Sequence, residues 1–157
     1  MLALSPDQRQ GLPGRLPEPR PQPDRTDLDA QGDVCDADDD NDTVADLTDF
    51  CSKLPGRAGN GCPRIARALS LRYAPRAGRF SGRLRPRNSC AGGQQVTILL
   101  AKRGKDRRIG RARTRASGGF QLRRRATSGR FYAKAGSRTI RDFGNCAATR
   151  SKRIRVG

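Results

Sequence analysis

The chain has no histidine and no tryptophan, and only two tyrosines and five phenylalanines among its 157 residues. Without histidine it lacks the usual general base near neutral pH and the commonest neutral metal ligand. No serine or cysteine stands beside a residue able to activate it, so a non-enzymatic protein is expected. None of the five cysteines, Cys35, Cys51, Cys62, Cys90 and Cys146, forms a CxxC pair, which argues against a structural zinc site. No apolar run is long enough to cross a membrane. Carboxylates are nearly absent after residue 62: residues 63–157 hold two, Asp106 and Asp142, against 27 Lys and Arg. Residues 1–62 show the reverse, with 13 acidic and 6 basic residues, inside a chain of net charge +18. Two segments so different in chemistry are expected to be separate structural units.

Three regions follow from composition. Residues 1–24 carry six prolines and four leucines without useful period, the composition of a disordered tail or linker. Residues 25–62 are Asp-rich and almost free of large apolar side chains, so their order has to come from cations and disulfides. Residues 63–157 alternate apolar and polar residues in short runs. Leu69, Leu71 and Tyr73 share a face, as do Phe80, Gly82 and Leu84, and Val96, Ile98 and Leu100. Ile109 marks another run, Phe120 and Leu122 the next, then Phe131, Ala133 and Ala135, and finally Ile154 and Val156. These predict about seven strands with turn signals between them, in a mostly β fold whose C-terminal domain is an antiparallel β-sandwich. Arginine outnumbers lysine by 28 to 5. A GC-rich coding sequence accounts for that bias, and alternation turns most of these cations outward.

Separated cysteines without zinc spacing read as disulfides, and disulfides imply an oxidising, extracellular setting for a secreted protein. The first residues, MLALSPDQRQGLPG, lack the apolar core of a secretory signal. The expectation is therefore a truncated or misassigned N-terminus, with a leader encoded upstream. Cys90 precedes one strand and Cys146 the last, and a bridge between them would contribute on the order of 4 kcal/mol through loop entropy. Cys51 can close a short loop with Cys62, leaving Cys35 over, or pair with Cys35, leaving Cys62; spacing does not choose.

The acidic residues are not scattered. In the twelve-residue window DDDNDTVADLTD, carboxylates occupy positions 1, 3, 5, 9 and 12, namely Asp38, Asp40, Asp42, Asp46 and Asp49. Alternate side chains in a tight loop turn toward one centre, and the carbonyl of Val44 at position 7 can join them. Hard oxygen ligands in that number suit Ca²⁺ and its tolerant geometry better than Mg²⁺. Most of the pattern repeats upstream, where Asp27, Asp29, Asp33 and Asp36 take positions 3, 5, 9 and 12 of RTDLDAQGDVCD. Arg25 stands at position 1 of that first loop, so its site is the weaker. An EF-hand would want an apolar residue at position 8 and a following helix; here Val44 is at position 7 and FCSKLPG stops the chain.

The stretch DAQGDVCDADDDNDTVADLTDFC resembles a pair of thrombospondin type 3 repeats, which read DxDxDGxGDxCD followed by DxDxDGxxDxxDNC. The resemblance implies that Asp side chains wrap Ca²⁺ in a segment of little regular structure, with disulfides clipping successive loops. It fits Cys51 with Cys62, and Cys35 with a partner in a further repeat upstream. The family's glycine at position 6 is here Ala30 and Thr43, and its asparagine before the last cysteine is Phe50. If position 6 is left-handed, a β-branched Thr43 costs about 1–2 kcal/mol. More loosely, the β-sandwich resembles the immunoglobulin-like or transthyretin-like modules that follow such repeats. The function implied is calcium binding by an extracellular module attached to it, with an adhesive or structural role toward matrix, cell-surface or acidic polysaccharide partners. A second expectation is polyanion binding by the basic domain. Nucleic acid is disfavoured because Tyr132, between Arg130 and Lys134, is the sole outward strand aromatic. A third is that the acidic arm docks on the basic sandwich of its own chain.

Overall fold

A computed structural model describes residues 24–157, so the expected Pro-rich tail falls, but for Asp24, outside the described residues. No helix occurs among the described residues, and residues 24–62 contain no strand. Twelve strands follow: β1 (Arg64–Ile65), β2 (Ala68–Leu69), β3 (Arg72–Ala74), β4 (Arg79–Arg85), β5 (Gln95–Leu100), β6 (Arg107–Arg113), β7 (Gly119–Arg123), β8 (Gly129–Ala135), β9 (Arg138–Ile140), β10 (Gly144–Cys146), β11 (Thr149–Arg150) and β12 (Ile154–Val156).

One sheet runs β11-β8-β5-β6, with β12 also paired to β8; the other is β2-β4-β3, with β7 on β4. Alternation explains how they face. Val96, Ile98 and Leu100 of β5 and Phe131, Ala133 and Ala135 of β8 are buried from one side, and Phe80, Leu84 and Phe120 from the other. Phe80 joins the layers, with its ring 4.7 Å from Tyr73 and 5.2 Å from Phe131, centre to centre. The result is the mostly β, two-layered architecture that the alternating runs predict. Leu99 keeps the alternation, paired with Tyr132 of β8 and outside the core cluster, yet is buried on that outer face, where the pairing with β6 is irregular.

A third, three-stranded sheet, β1-β10-β9, carries the join to the acidic segment, with β1 and β10 parallel. Its strands have two or three residues each and include Gly144-Asn145-Cys146, so no period announces them. The LSLRY run divides into β2 and β3. Two disulfides are formed, Cys51–Cys62 and Cys90–Cys146, and Cys35 is free and exposed.

Arg67 is buried without a carboxylate partner. Its guanidinium donates to the carbonyls of Ala147 (2.6 Å), Cys90 (3.2 Å) and Gly136, so one cation ties three separate loops beside the Cys90–Cys146 bridge. Desolvation lowers its pKa from the ordinary arginine value. Nothing in the residues around Arg67 distinguishes it from the 27 other arginines, most of them solvated. Arg67→Met is expected to destabilise the oxidised domain by roughly 2–4 kcal/mol, because buried carbonyls lose their donors. Urea denaturation measures this, and Arg67→Lys, with its single ammonium, should recover part of the loss.

Candidate metal centre

The chemistry of residues 24–62 begins with a local habit of aspartate, whose side chain accepts a hydrogen bond from the amide two residues on. Asp27 accepts from Asp29 N–H (3.0 Å), Asp29 from Gln31 (2.6 Å), and Asp36 from Asp38 (3.0 Å). Asp40 accepts from Asp42 (3.2 Å), Asp42 from Val44 (2.9 Å), and Asp49 from Cys51 (2.5 Å). Further amides close the second loop: Asp38 accepts from Asp42 N–H (3.3 Å) and Thr43 N–H (2.9 Å), and the other oxygen of Asp42 accepts from Gly56 N–H (2.9 Å).

Two groups of three carboxylates result. Asp38, Asp40 and Asp42 form one, and Asp27, Asp29 and Asp36 the other; in each, one oxygen per residue lies within 4.8 Å of the others. Ligand oxygens on one Ca²⁺, at about 2.3–2.6 Å from it, are at most about 5 Å apart, so both groups fit that ion. The Asn41 side chain donates to Asp27 and links the two loops. Asp46 and Asp33, placed with these groups by spacing alone, make other contacts. Asp46 accepts the Asp39 N–H at 3.1 Å, and Asp33 accepts from Thr26 N–H at 2.9 Å and from Lys53 Nζ at 2.6 Å. Asp49 is buried next to Asp40. Val44 adjoins the second group through its bond to Asp42.

Three of these carboxylates are nine-tenths buried or more: Asp39, Asp40 and Asp49. Each has an oxygen that accepts no hydrogen bond, Asp39 Oδ1, Asp40 Oδ2 and Asp49 Oδ2. Burial, and then the neighbouring Asp42 carboxylate, pushes Asp40 up to about 6. Asp39 is raised by burial and then by Asp46 and Asp33. Asp33 is lowered, chiefly by the Lys53 ammonium, whose own pKa rises in return. A buried carboxylate with no donor is costly, and a cation is the partner that removes the cost. The donor set therefore suits Ca²⁺, with Asp38, Asp40 and Asp42 as one set of oxygen ligands and Asp27, Asp29 and Asp36 as another.

Thr43 lies at φ +78°, Asn41 at +56° and Leu28 at +66°, all left-handed. Position 6 of the second loop does need the conformation that glycine adopts freely, and Thr43 holds it under strain. At Gly61 (φ +68°), a β-carbon would lie 2.0 Å from Asp49 Oδ1, so only glycine lets that carboxylate occupy its place. The sequence reading missed Asp39, Lys53 and Gly61. Asp39 falls at an even position in an unbroken Asp run, where alternation turns it away; Lys53 and Gly61 approach only after the Cys51–Cys62 loop closes.

The segment is joined to the sandwich by neutral groups. Asp142 N–H donates to Phe50 C=O (2.8 Å), and Phe50 N–H to Asn60 C=O (3.1 Å). The Asn60 and Asn145 amides exchange hydrogen bonds of 3.2 and 2.9 Å, and Asn145 also donates to Cys62 C=O at 3.1 Å. The Arg141 guanidinium stands 5.1 Å over the centre of the Phe50 ring. Phe50, where the repeat pattern has asparagine, thus serves the join. Among the described residues the one ion pair, Lys53–Asp33, is internal to the segment. The arm docks on its own sandwich, but not through their opposite charges.

The family model of the thrombospondin type 3 repeat matches residues 24–57. Such repeats are calcium-binding modules, and the match covers both carboxylate groups and stops short of the strands. No curated protein and no solved structure matches the chain.

Two substitutions test the local strain. Thr43→Gly is expected to stabilise the calcium-loaded segment by about 1 kcal/mol, seen as a higher Tm in saturating Ca²⁺. Gly61→Ala should do the opposite, displacing Asp49 and weakening calcium binding about tenfold or more by calorimetry.

Proposed function

We propose that this is an extracellular, non-enzymatic protein in which residues 25–62 form a Ca²⁺-ordered module and residues 63–157 an immunoglobulin-like sandwich. Together they act as an adhesive or structural unit. The observation that carries the reading is the set of buried carboxylate oxygens without donors beside the Asp38–Asp40–Asp42 group. Carboxylates crowded in this way repel one another, and bound Ca²⁺ replaces that repulsion with shared ligation.

The favoured site uses Asp38, Asp40 and Asp42, with Asp46, Asp49 and the Val44 carbonyl completing its surroundings. Asp27, Asp29 and Asp36, with Asp33 nearby, make the weaker site, since Arg25 replaces an acidic ligand there. Because the segment is bonded to β10 and its neighbours through Phe50, Asn60 and Asn145, ordering it fixes its direction relative to the sandwich. A short rigid spacer is what such a module contributes mechanically. Two disulfides suit an oxidising compartment, and among the described residues no helix is long and apolar enough to cross a membrane.

Calorimetric titration of the oxidised protein tests this. Binding with a Kd of about 10⁻⁴–10⁻³ M is expected, as for extracellular calcium modules, and Asp42→Asn should weaken it markedly. No calcium-dependent heat and no gain in order at millimolar Ca²⁺ would reject the proposal.

A further inference from the structure

The sandwich has a basic surface on which no close ion pair forms among the described residues; Asp106 alone reaches its cations, attracting Lys134 and Arg153 without pairing with either. Thr97 of β5 pairs with Arg111 of β6 on one side and Lys134 of β8 on the other, and Lys134 pairs with Arg150 of β11. Lys134 and Arg150 are thus direct cross-strand neighbours, on strands about 4.8 Å apart. Arg130 and Arg155 repeat the arrangement where β8 meets β12. Like charges directly opposite are destabilising, so two such pairs on one sheet are a cost to folding. No described ion pair relieves them.

At one end of this sheet lies a groove of about 820 Å³, lined by Gln95, Thr97, Arg113, Lys134, Arg138 and Arg150 among others, with no carboxylate in its lining. Gly93 and Gly136 leave its edges open, since a β-carbon at either would meet no atom within 4 Å. Asp106, just before β6, lies outside the groove lining; its hydrogen bonds come from the Tyr132 hydroxyl and, at 3.0 Å, from Lys102 N–H. That bond holds Asp106 below the ordinary carboxylate range.

We infer that this groove binds an anionic polysaccharide. Arg113, Lys134, Arg138 and Arg150 meet its carboxylates or sulfates, and Gln95 and Thr97 offer donors and acceptors to its hydroxyls. A nucleic acid strand fits less well. The exposed large apolar residues of the described chain, Leu28, Val34, Leu47, Phe50 and Leu54, all lie in the acidic segment. The sandwich face therefore has no exposed aromatic platform on which bases would stack, and Tyr132 is tied by its hydroxyl. The site is independent of the calcium module, so chelation should leave it intact.

The test uses the whole oxidised chain against immobilised heparin, alginate and single-stranded DNA at about 0.15 M salt, with Ca²⁺ or with EDTA. Retention on at least one polysaccharide is expected in both conditions, and tighter than on DNA. Lys134→Glu/Arg150→Glu should weaken it about tenfold or more, while Arg76→Glu/Arg103→Glu, an equal charge change on exposed turns outside the groove, should cost less than about threefold. Gly136→Glu, which adds a carboxylate without a clash, should reproduce the groove effect; thermal melting confirms that each variant folds. Equal losses from both double variants would overturn the site in favour of net charge alone. Preferential DNA binding, or salt-dependent self-association in place of polysaccharide binding, would overturn the ligand class.

Discussion

Everything in the acidic half depends on how buried carboxylates are held next to one another. Asp49 is the central case. It accepts the Cys51 amide proton, fills the space that Gly61 leaves and adds its charge to that around Asp40, just outside the loop that Cys51–Cys62 closes. One oxygen of each of these two buried carboxylates has no hydrogen-bond donor. In a segment with no strand, no helix and no apolar core, a cation that balances the repulsion would stabilise such an arrangement. Ca²⁺ is suited to it because its coordination tolerates a loop held together by Asx turns rather than by a rigid sheet.

The two halves therefore draw their stability from different sources. The sandwich buries Phe80, Phe131, Leu84, Ile98 and Val96 completely, each contributing roughly 1.5–3 kcal/mol of burial. It adds a disulfide across a sequence separation of 56, and the three-carbonyl anchor of Arg67. The acidic segment leaves its large apolar side chains in solvent. Their join is made by amides, backbone carbonyls and one ring under a guanidinium, none of which is strongly sensitive to salt. The join therefore does not use the opposite charges of the two halves, and the segregated charge stays on separate faces rather than in one neutralised interface.

Period and composition made much of this legible. Runs such as Val96, Ile98, Leu100 and Phe131, Ala133, Ala135 fixed both the strands and the side that faces the core. The alternating aspartates point to cation ligation by their spacing, and Thr43 marks a left-handed position because the repeat pattern has glycine there. What escaped reading has a common physical cause. Asp39 is buried by contacts with Asp46 that no period encodes. Arg67 looks like every other arginine until its neighbours are known. The short strands β9 and β10 form a local hairpin too brief to show a period, and β1 exists only because residues about 80 apart pair with β10. Leu99 is buried on the outer face of its sheet, opposite Tyr132, where alternation alone would leave it exposed. These are tertiary facts, and local patterns carry none of them.

The central claim is that a bound cation orders the carboxylate segment and, through Phe50, Asn60 and Asn145, its junction with the sandwich. Amide hydrogen exchange of the oxidised protein, in EDTA and in saturating Ca²⁺, addresses this most directly. The account predicts calcium-dependent slowing at the amides of Asp42, Val44, Cys51 and Gly56, extending to Asp142 and Asn145, with the strands β4, β5 and β8 unchanged. Exchange in the segment that is equally slow without Ca²⁺, or equally fast with it, would contradict the account.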